Sequence, residues 1–296
     1  MRILIGGAGG VLAQQLIPVL AGRGHELYGL MREPRDIPGL RRIGTLADLQ
    51  RLLDGVDCVL NLAKANARRD AHGTDVALPV TLLQAAAAAG AGRFVQFSSI
   101  KALADESHAQ PLDLDAVPAP TSDYGRRKLA TERALREHAA LERVELDLLR
   151  LPMVFGAPAA GNYALLRSAV ARGLPLPAGR DNRRSTLYAG NLTDFVACLL
   201  DETPRPGCRL MHLCDPEALS TADFVRALSA ALGRPARVIG MSTRWASRLG
   251  GVPLLGSVVE RLCGSLTLVP GGLGDWQAPY TTEAALRALE AGARPD

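Results

Sequence analysis

Short apolar runs alternate with segments of helical period over the first half of the chain. "RILIG" reads as a strand. The following "GVLAQQLIPVLAGRG" has apolar residues at helical spacing and closes on glycine. "HELYGLM" predicts a second strand, and "TLADLQRLLDG" a helix with Thr45 as its N-cap. "VDCVLNLA" and "GRFVQFSS" predict further strands, with the helix "TDVALPVTLLQAAAAAG" between them. Another helix starts in "SDYGRRKLATE" and runs to about Leu141, and "VELDLLRLP" returns as a strand. Apolar strands alternating with amphipathic helices predict a parallel sheet covered on both faces. Right-handed crossovers make this a doubly wound, Rossmann-type α/β fold. After about Pro152 the rhythm changes to shorter helices separated by Pro/Gly-rich stretches such as "FGAPAAG" and "GLPLPAG".

Composition narrows the class of partner. The chain has 296 residues, 48% hydrophobic and 22% charged, as expected for a globular protein with a substantial core. Its formal charge is only +4 and no dense Lys/Arg block occurs, which argues against nucleic acid and allows an anionic small ligand. Nearly all the bases are arginine; Lys64, Lys101 and Lys128 are the lysines. The five cysteines form no CxxC pair and lie mostly in apolar segments, so buried free thiols are expected rather than metal ligands. With no apolar run long enough for a bilayer and a strand at the very start, a cytoplasmic protein without a membrane partner is expected.

The first candidate site is "IGGAGGVLA", between the first strand and the first helix. Gly7, Gly10 and Ala13 have GxxGxxA spacing. The first glycine permits a tight turn. The second lets backbone approach a pyrophosphate at the helix N-terminus, where free N–H groups and the helix dipole favour an anion. A dinucleotide is therefore expected, bound by residues 1–155, with residues 156–296 mainly receiving the substrate. A helix near 190–201 is expected to pack back on the first region. At the end of the second strand, "GLMRE" puts Met31 where an acid would meet the ribose hydroxyls. Arg32 beside it suits a 2′-phosphate and favours NADP(H) within NAD(P), while Glu33 keeps NAD open.

The second candidate is Tyr124 with Lys128, four apart and so on one face of a helix. Five tyrosines and three lysines give about 0.05 YxxxK matches by chance. "FSSI" precedes this helix at a strand's carboxyl end, where such sheets bind ligands. Ser99, Tyr124 and Lys128 are thus expected to converge. Reduction of a ketone needs a hydride on carbon and a proton on oxygen. A phenol titrates near 10, and an adjacent ammonium is expected to lower that value so that Tyr124 can exchange a proton near neutrality. A serine hydroxyl can hold the carbonyl oxygen.

These residues resemble those of the extended short-chain dehydrogenases/reductases, the NAD-dependent epimerase/dehydratase family. The resemblance runs through "GGAGGVLA", "NLA", "FVQFSSIKA", "YGRRKLATE", "LRLPMVFG", "GNYALLRSAV", "GLPLP", "NRRSTLYAGNL" and "RLCGSLTL". Family dehydratases carry an Asp-Glu pair just after the catalytic Ser/Thr. Ile100 and Lys101 stand there in this chain, so dehydration is not implied. What is implied is chemistry at C4 of a UDP-hexose-type nucleotide sugar in surface-polysaccharide biosynthesis. Reduction of a 4-keto sugar comes first, and 4-epimerisation with tightly held NAD is the alternative. A non-catalytic NAD(P) sensor or partner-binding protein is the reading from another class. By the resemblance Gly7, Gly10, Val11, Leu12 and Arg32 serve the cofactor. So do Leu62, Ala63, Tyr124 and Lys128. Lys101, Asn162 and Arg184 serve the substrate, the last two at its diphosphate, and no metal is implied. A homodimer through helices including the one bearing Tyr124 is also implied.

Overall fold

The computed structural model describes residues 1–63, 74–107, 110–142, 144–241 and 262–292. The first half alternates strand and helix: β1 (Arg2–Gly6), α1 (Val11–Gly22), β2 (Glu26–Leu30), β3 (Arg42–Gly44), α2 (Leu49–Leu53), β4 (Cys58–Asn61), α3 (Thr74–Ala88), β5 (Arg93–Ser99), α4 (Asp123–Glu142) and β6 (Glu145–Leu151). A short β7 (Met153–Phe155) follows, then α5 (Gly161–Ala171), β8 (Leu176–Gly179), β9 (Thr186–Tyr188), α6 (Ala189–Asp201) and β10 (Gly207–His212). The remainder comprises α7 (Thr221–Ala231), β11 (Val238–Met241) and a helix over Thr282–Ala291. The predicted helix after Thr45 is short. It opens as a 3-10 turn, and the Asp48 carboxylate accepts the Thr45 N–H at 2.9 Å.

The large sheet has seven strands in the order β10-β6-β5-β4-β1-β2-β3. Every pairing in it is parallel. Alternation along each strand sends side chains to both faces. Ile3 and Ile5 meet Leu16 and Leu20 of α1 and Phe195 and Leu199 of α6. Leu4, Phe94 and Leu146 meet Leu52 of α2, Leu82 and Leu83 of α3 and Leu135 of α4. Both faces are therefore dry, which is what a parallel sheet requires. The chain winds outward from β1 through β2 to β3, then crosses back to β4 and winds the other way. That reversal leaves a crevice at the carboxyl ends of β1 and β4.

After residue 155 the chain builds a second core and also returns to the sheet, through α6 and the edge strand β10. The second core is aromatic. Phe155 packs on Tyr163 at 5.7 Å and edge-on against Phe224 at 5.6 Å between ring centres. Two small parallel pairs, β7-β9 and β8-β11, frame it. Cys58, Cys214 and Cys263 are buried free thiols and Cys198 is partly buried, but Cys208, near the start of the edge strand β10, is exposed. Among the described residues no helix is long and apolar enough to cross a membrane. None of these residues forms a group of three or more His, Cys, Asp or Glu placed to hold a metal.

Two buried polar features fix the sheet to α4. Glu132, fully buried on α4, accepts Arg150 Nη2 of β6 at 2.7 Å and Arg150 Nε at 3.1 Å. The Ser98 hydroxyl of β5 donates to the same carboxylate at 2.5 Å. Next to Arg150 across the β6–β10 pairing lies His212, 1% exposed. Burial, aided by the Arg150 charge, lowers its pKa from 6.5 to about 4.

Glu132→Ala leaves the Arg150 guanidinium buried without its counter-ion. It is expected to cost about 3 kcal/mol of unfolding free energy in urea titrations, against a negligible change if the pair contributes nothing. His212 binds its proton in the unfolded chain near pH 6.5 but in the folded chain only near pH 4. Stability is therefore expected to fall as pH drops through that window, by on the order of 3 kcal/mol, and to level off below it. His212→Gln should flatten this part of the stability–pH curve.

Candidate active site

Ser99 ends β5 at the carboxyl edge of the sheet, and Tyr124 lies in the first turn of α4. The fold brings them together: the Ser99 hydroxyl lies close enough to the Tyr124 phenol to favour its ionised form. The Lys128 ammonium, one turn further along α4, lies 5.9 Å from the centre of the Tyr124 ring. It also donates to the Phe97 carbonyl of β5 at 3.4 Å, which ties it to the same strand end. The three residues singled out in the sequence thus form one cluster.

The electrostatics differ from expectation in one respect. Lys128 was expected to bring the phenol down. Instead burial raises the Tyr124 pKa above 10.0, and the Ser99 hydrogen bond and the Arg127 charge offset this only in part. The residue as a whole is 46% exposed. At neutral pH Tyr124 is a protonated phenol, a form suited to giving up a proton.

The start of α4 is built for close approach. Ser122 accepts the Gly125 N–H on its hydroxyl at 3.1 Å, capping the helix. Any Cβ at Gly125 would collide with the Lys101 carbonyl oxygen and come within 2.8 Å of Pro120. Glycine here lets the helix that carries Tyr124 lie directly on the backbone after Ser99.

The glycine loop occupies the crevice at the end of β1. Gly7 has φ 76°, and a Cβ there would lie 2.9 Å from both Cα and N of Ala63. The loop therefore packs backbone to backbone against Leu62 and Ala63 beyond β4, and Leu62 N–H donates to the Gly6 carbonyl at 2.9 Å. Gly10 is the N-cap of α1 and has no side chain to satisfy the first-turn amides, and no acidic residue stands in that turn. The N–H groups around Val11 and Leu12 are left for an anion. These residues fit the pyrophosphate of a dinucleotide.

Arg32 is exposed beyond β2, as is Arg35. The Arg35 guanidinium reaches back to the glycine loop and donates to the Gly9 carbonyl at 2.9 Å. Sequence reasoning passed over Arg35. The available signal was a second arginine in the same short loop.

The substrate residues implied by resemblance are placed as follows. Lys101 is engaged with Asp105 at 3.0 Å, with 32% of its side chain still exposed. Asn162 is exposed in the first turn of α5. Arg184 is half-buried and donates to the Gly264 carbonyl at 2.8 Å. No carboxylate among the described residues lies within ion-pair distance of it. Its neighbour Arg183 is 62% exposed and near Asp223 at 3.9 Å. In the same motif Asn182 is structural. It is fully buried, and its amide nitrogen donates to Thr221 at 3.0 Å and to the Gly264 carbonyl at 3.0 Å.

A family model described as the NAD dependent epimerase/dehydratase family matches residues 3–207. The chain belongs to that family. It is an enzyme of the extended short-chain dehydrogenase/reductase type with a nicotinamide cofactor. It is 30% identical over 217 residues to the UDP-glucose 4-epimerase of Vibrio cholerae, an alignment covering 70% of this chain and 65% of that protein. It is 27% identical over 246 residues to the dTDP-4-dehydrorhamnose reductase of Mycolicibacterium smegmatis, covering 80% of this chain and 71% of that one. Its fold resembles the NAD complex of the Thermus thermophilus UDP-glucose 4-epimerase with a TM-score of 0.78, at 19% identity and 98% coverage of both chains.

In this epimerase/dehydratase family member, Gly7→Val is expected to abolish cofactor binding. The branched side chain would be forced into a positive-φ position against Ala63. Titration with NAD, NADH, NADP and NADPH by calorimetry should show the loss, while circular dichroism reports a retained fold. Wild-type affinity in the variant would show that the crevice is not the cofactor site.

Proposed function

We propose that the protein reduces the C4 carbonyl of a UDP-hexose-type 4-keto sugar, using NAD(P)H, in surface-polysaccharide biosynthesis. The observation that carries this reading is the convergence of the Ser99 hydroxyl and the Lys128 ammonium on Tyr124. The nicotinamide, when bound, supplies the hydride that the carbonyl carbon receives. Gly7, Gly10, Val11 and Leu12 would hold the pyrophosphate, with Leu62 and Ala63 closing the crevice. The Ser99 hydroxyl holds the carbonyl oxygen, and the Tyr124 phenol gives that oxygen its proton as negative charge develops. The resulting phenolate is stabilised by the Lys128 ammonium.

The rest of the substrate is assigned to residues 156–296. Arg184, a half-buried guanidinium with no carboxylate within ion-pair distance among the described residues, suits a diphosphate oxygen, and Asn162 in the open first turn of α5 suits the same group. Lys101 lies close enough in sequence to Ser99 to meet the sugar side. Arg35, which reaches the glycine loop, and the exposed Arg32 after β2 favour NADP(H) through a 2′-phosphate. The cytoplasm and a homodimer through α4 belong to the same proposal.

The Vibrio cholerae relative supports a second reading, 4-epimerisation, in which Tyr124 first accepts a proton and later returns it. The two differ in net consumption of NAD(P)H. Tyr124→Phe is expected to lower kcat on a 4-keto UDP-sugar at least a hundredfold in protein saturated with cofactor. Full turnover by that variant would show that Tyr124 is not the proton donor.

A further inference from the structure

Between Ser99 and Tyr124 lies a carboxylate for which the reaction above has no use. Asp105 Oδ1 receives the Lys101 ammonium at 3.0 Å. Its Oδ2 accepts three donors: the Ser122 N–H at 2.7 Å, the Thr121 N–H at 2.9 Å and the Thr121 hydroxyl at 3.0 Å. Each neighbour leads to the reacting pair. Ser122 caps α4 through Gly125 N–H, one residue from Tyr124. The Lys101 N–H donates to Ser99 Oγ at 3.2 Å. The contacts run Ser99–Lys101–Asp105–Ser122–Gly125, from the strand end that carries Ser99 to the helix turn that carries Tyr124.

The same segment is tied at a second point. Ser107 donates its N–H to the Ser265 carbonyl at 2.8 Å and accepts the Thr267 N–H on its hydroxyl at 2.9 Å. Ser265 in turn accepts the Arg183 N–H at 3.1 Å, and Gly264 accepts Arg184. The Asp105 segment therefore joins the start of α4 to the stretch that carries Arg184.

We propose that Asp105 is a positioning residue that sets the Tyr124 phenol against the Ser99 hydroxyl by holding Ser122 and Lys101 together. This rests on the reading of Tyr124 as proton donor. Four donors converge on the carboxylate, and no one of them could be satisfied by a residue lacking an acceptor at that place. Burial pushes the carboxyl up, but the hydrogen bonds from Ser122, Lys101 and Thr121 outweigh it and hold it well below the ordinary range. Asp105 is thus an anion throughout the neutral range and takes no part in proton exchange there. Its contribution is geometric, and small misplacements of a proton donor are costly to rate.

Asp105→Ala and Asp105→Asn test the proposal, with Ser122→Ala as a variant that removes only the cap. The expected result for Asp105→Ala is a fall in kcat of about tenfold to a hundredfold, with KM for sugar and cofactor within about twofold. Asp105→Glu, which restores the anion, should recover part of kcat. Amide hydrogen exchange at Ser122 and Gly125 should accelerate in Asp105→Ala whether or not substrate is present. A folded Asp105→Ala protein with wild-type kcat, or a loss confined to KM, would overturn the proposal. So would unchanged exchange at Ser122 and Gly125. If the wild-type enzyme turns over no nucleotide sugar, the proposed reaction fails, and the exchange measurement still decides whether Asp105 holds the helix start.

Discussion

The buried contact of Glu132 with Arg150 and Ser98 is the constraint on which the site depends. Glu132 follows Lys128 by four residues and Tyr124 by eight, so all three lie along one face of α4. A carboxylate shared between two adjacent strands permits one register of the helix on the sheet. Sliding α4 by one residue would move Tyr124 about 1.5 Å along the axis and rotate it away from Ser99. It would also strand a buried guanidinium. The ion pair thus specifies position more than it adds stability, which is the best-supported use of buried charge.

Around this pin, two close approaches of backbone complete the geometry. At Gly7 the loop after β1 lies on the backbone after β4, which shapes the dinucleotide crevice. At Gly125 the start of α4 lies on the backbone after Ser99, which shapes the reaction centre. Both sit at carboxyl ends of parallel strands, the first at the reversal of strand order between β1 and β4 and the second at β5, the neighbour of β4. The glycine loop and Tyr124 are brought to one edge of the sheet because the topology puts those strand ends there.

Much of this was legible in the sequence. The alternation of apolar strands and helices, the glycine spacing and the YxxxK pair each reflect local rules, and the structure brings Ser99, Tyr124 and Lys128 together. What was not legible depends on long-range contact. "GCRLMHL" is too polar at its start to announce an edge strand, yet β10 completes the sheet beyond β6. The direction of the Tyr124 shift turns on burial, which residue types alone do not give. Arg35 and Asp105 look like ordinary surface charges until the fold places one on the Gly9 carbonyl and the other on four donors. Asn182, inside a motif read for ligand binding, is instead a buried brace for the residues around Gly264.

The central claim is that Tyr124 and Ser99 serve a carbonyl at C4 of a nucleotide sugar that is reduced at the expense of the cofactor. The most direct measurement is a reaction of the enzyme with a 4-keto UDP-sugar and NADPH or NADH deuterated at the transferable position, followed by NMR of the product. One equivalent of cofactor oxidised and deuterium on C4 of a 4-hydroxy sugar are expected. A sugar recovered unreduced with both deuterated cofactors, or a product carrying no deuterium at C4, would contradict it.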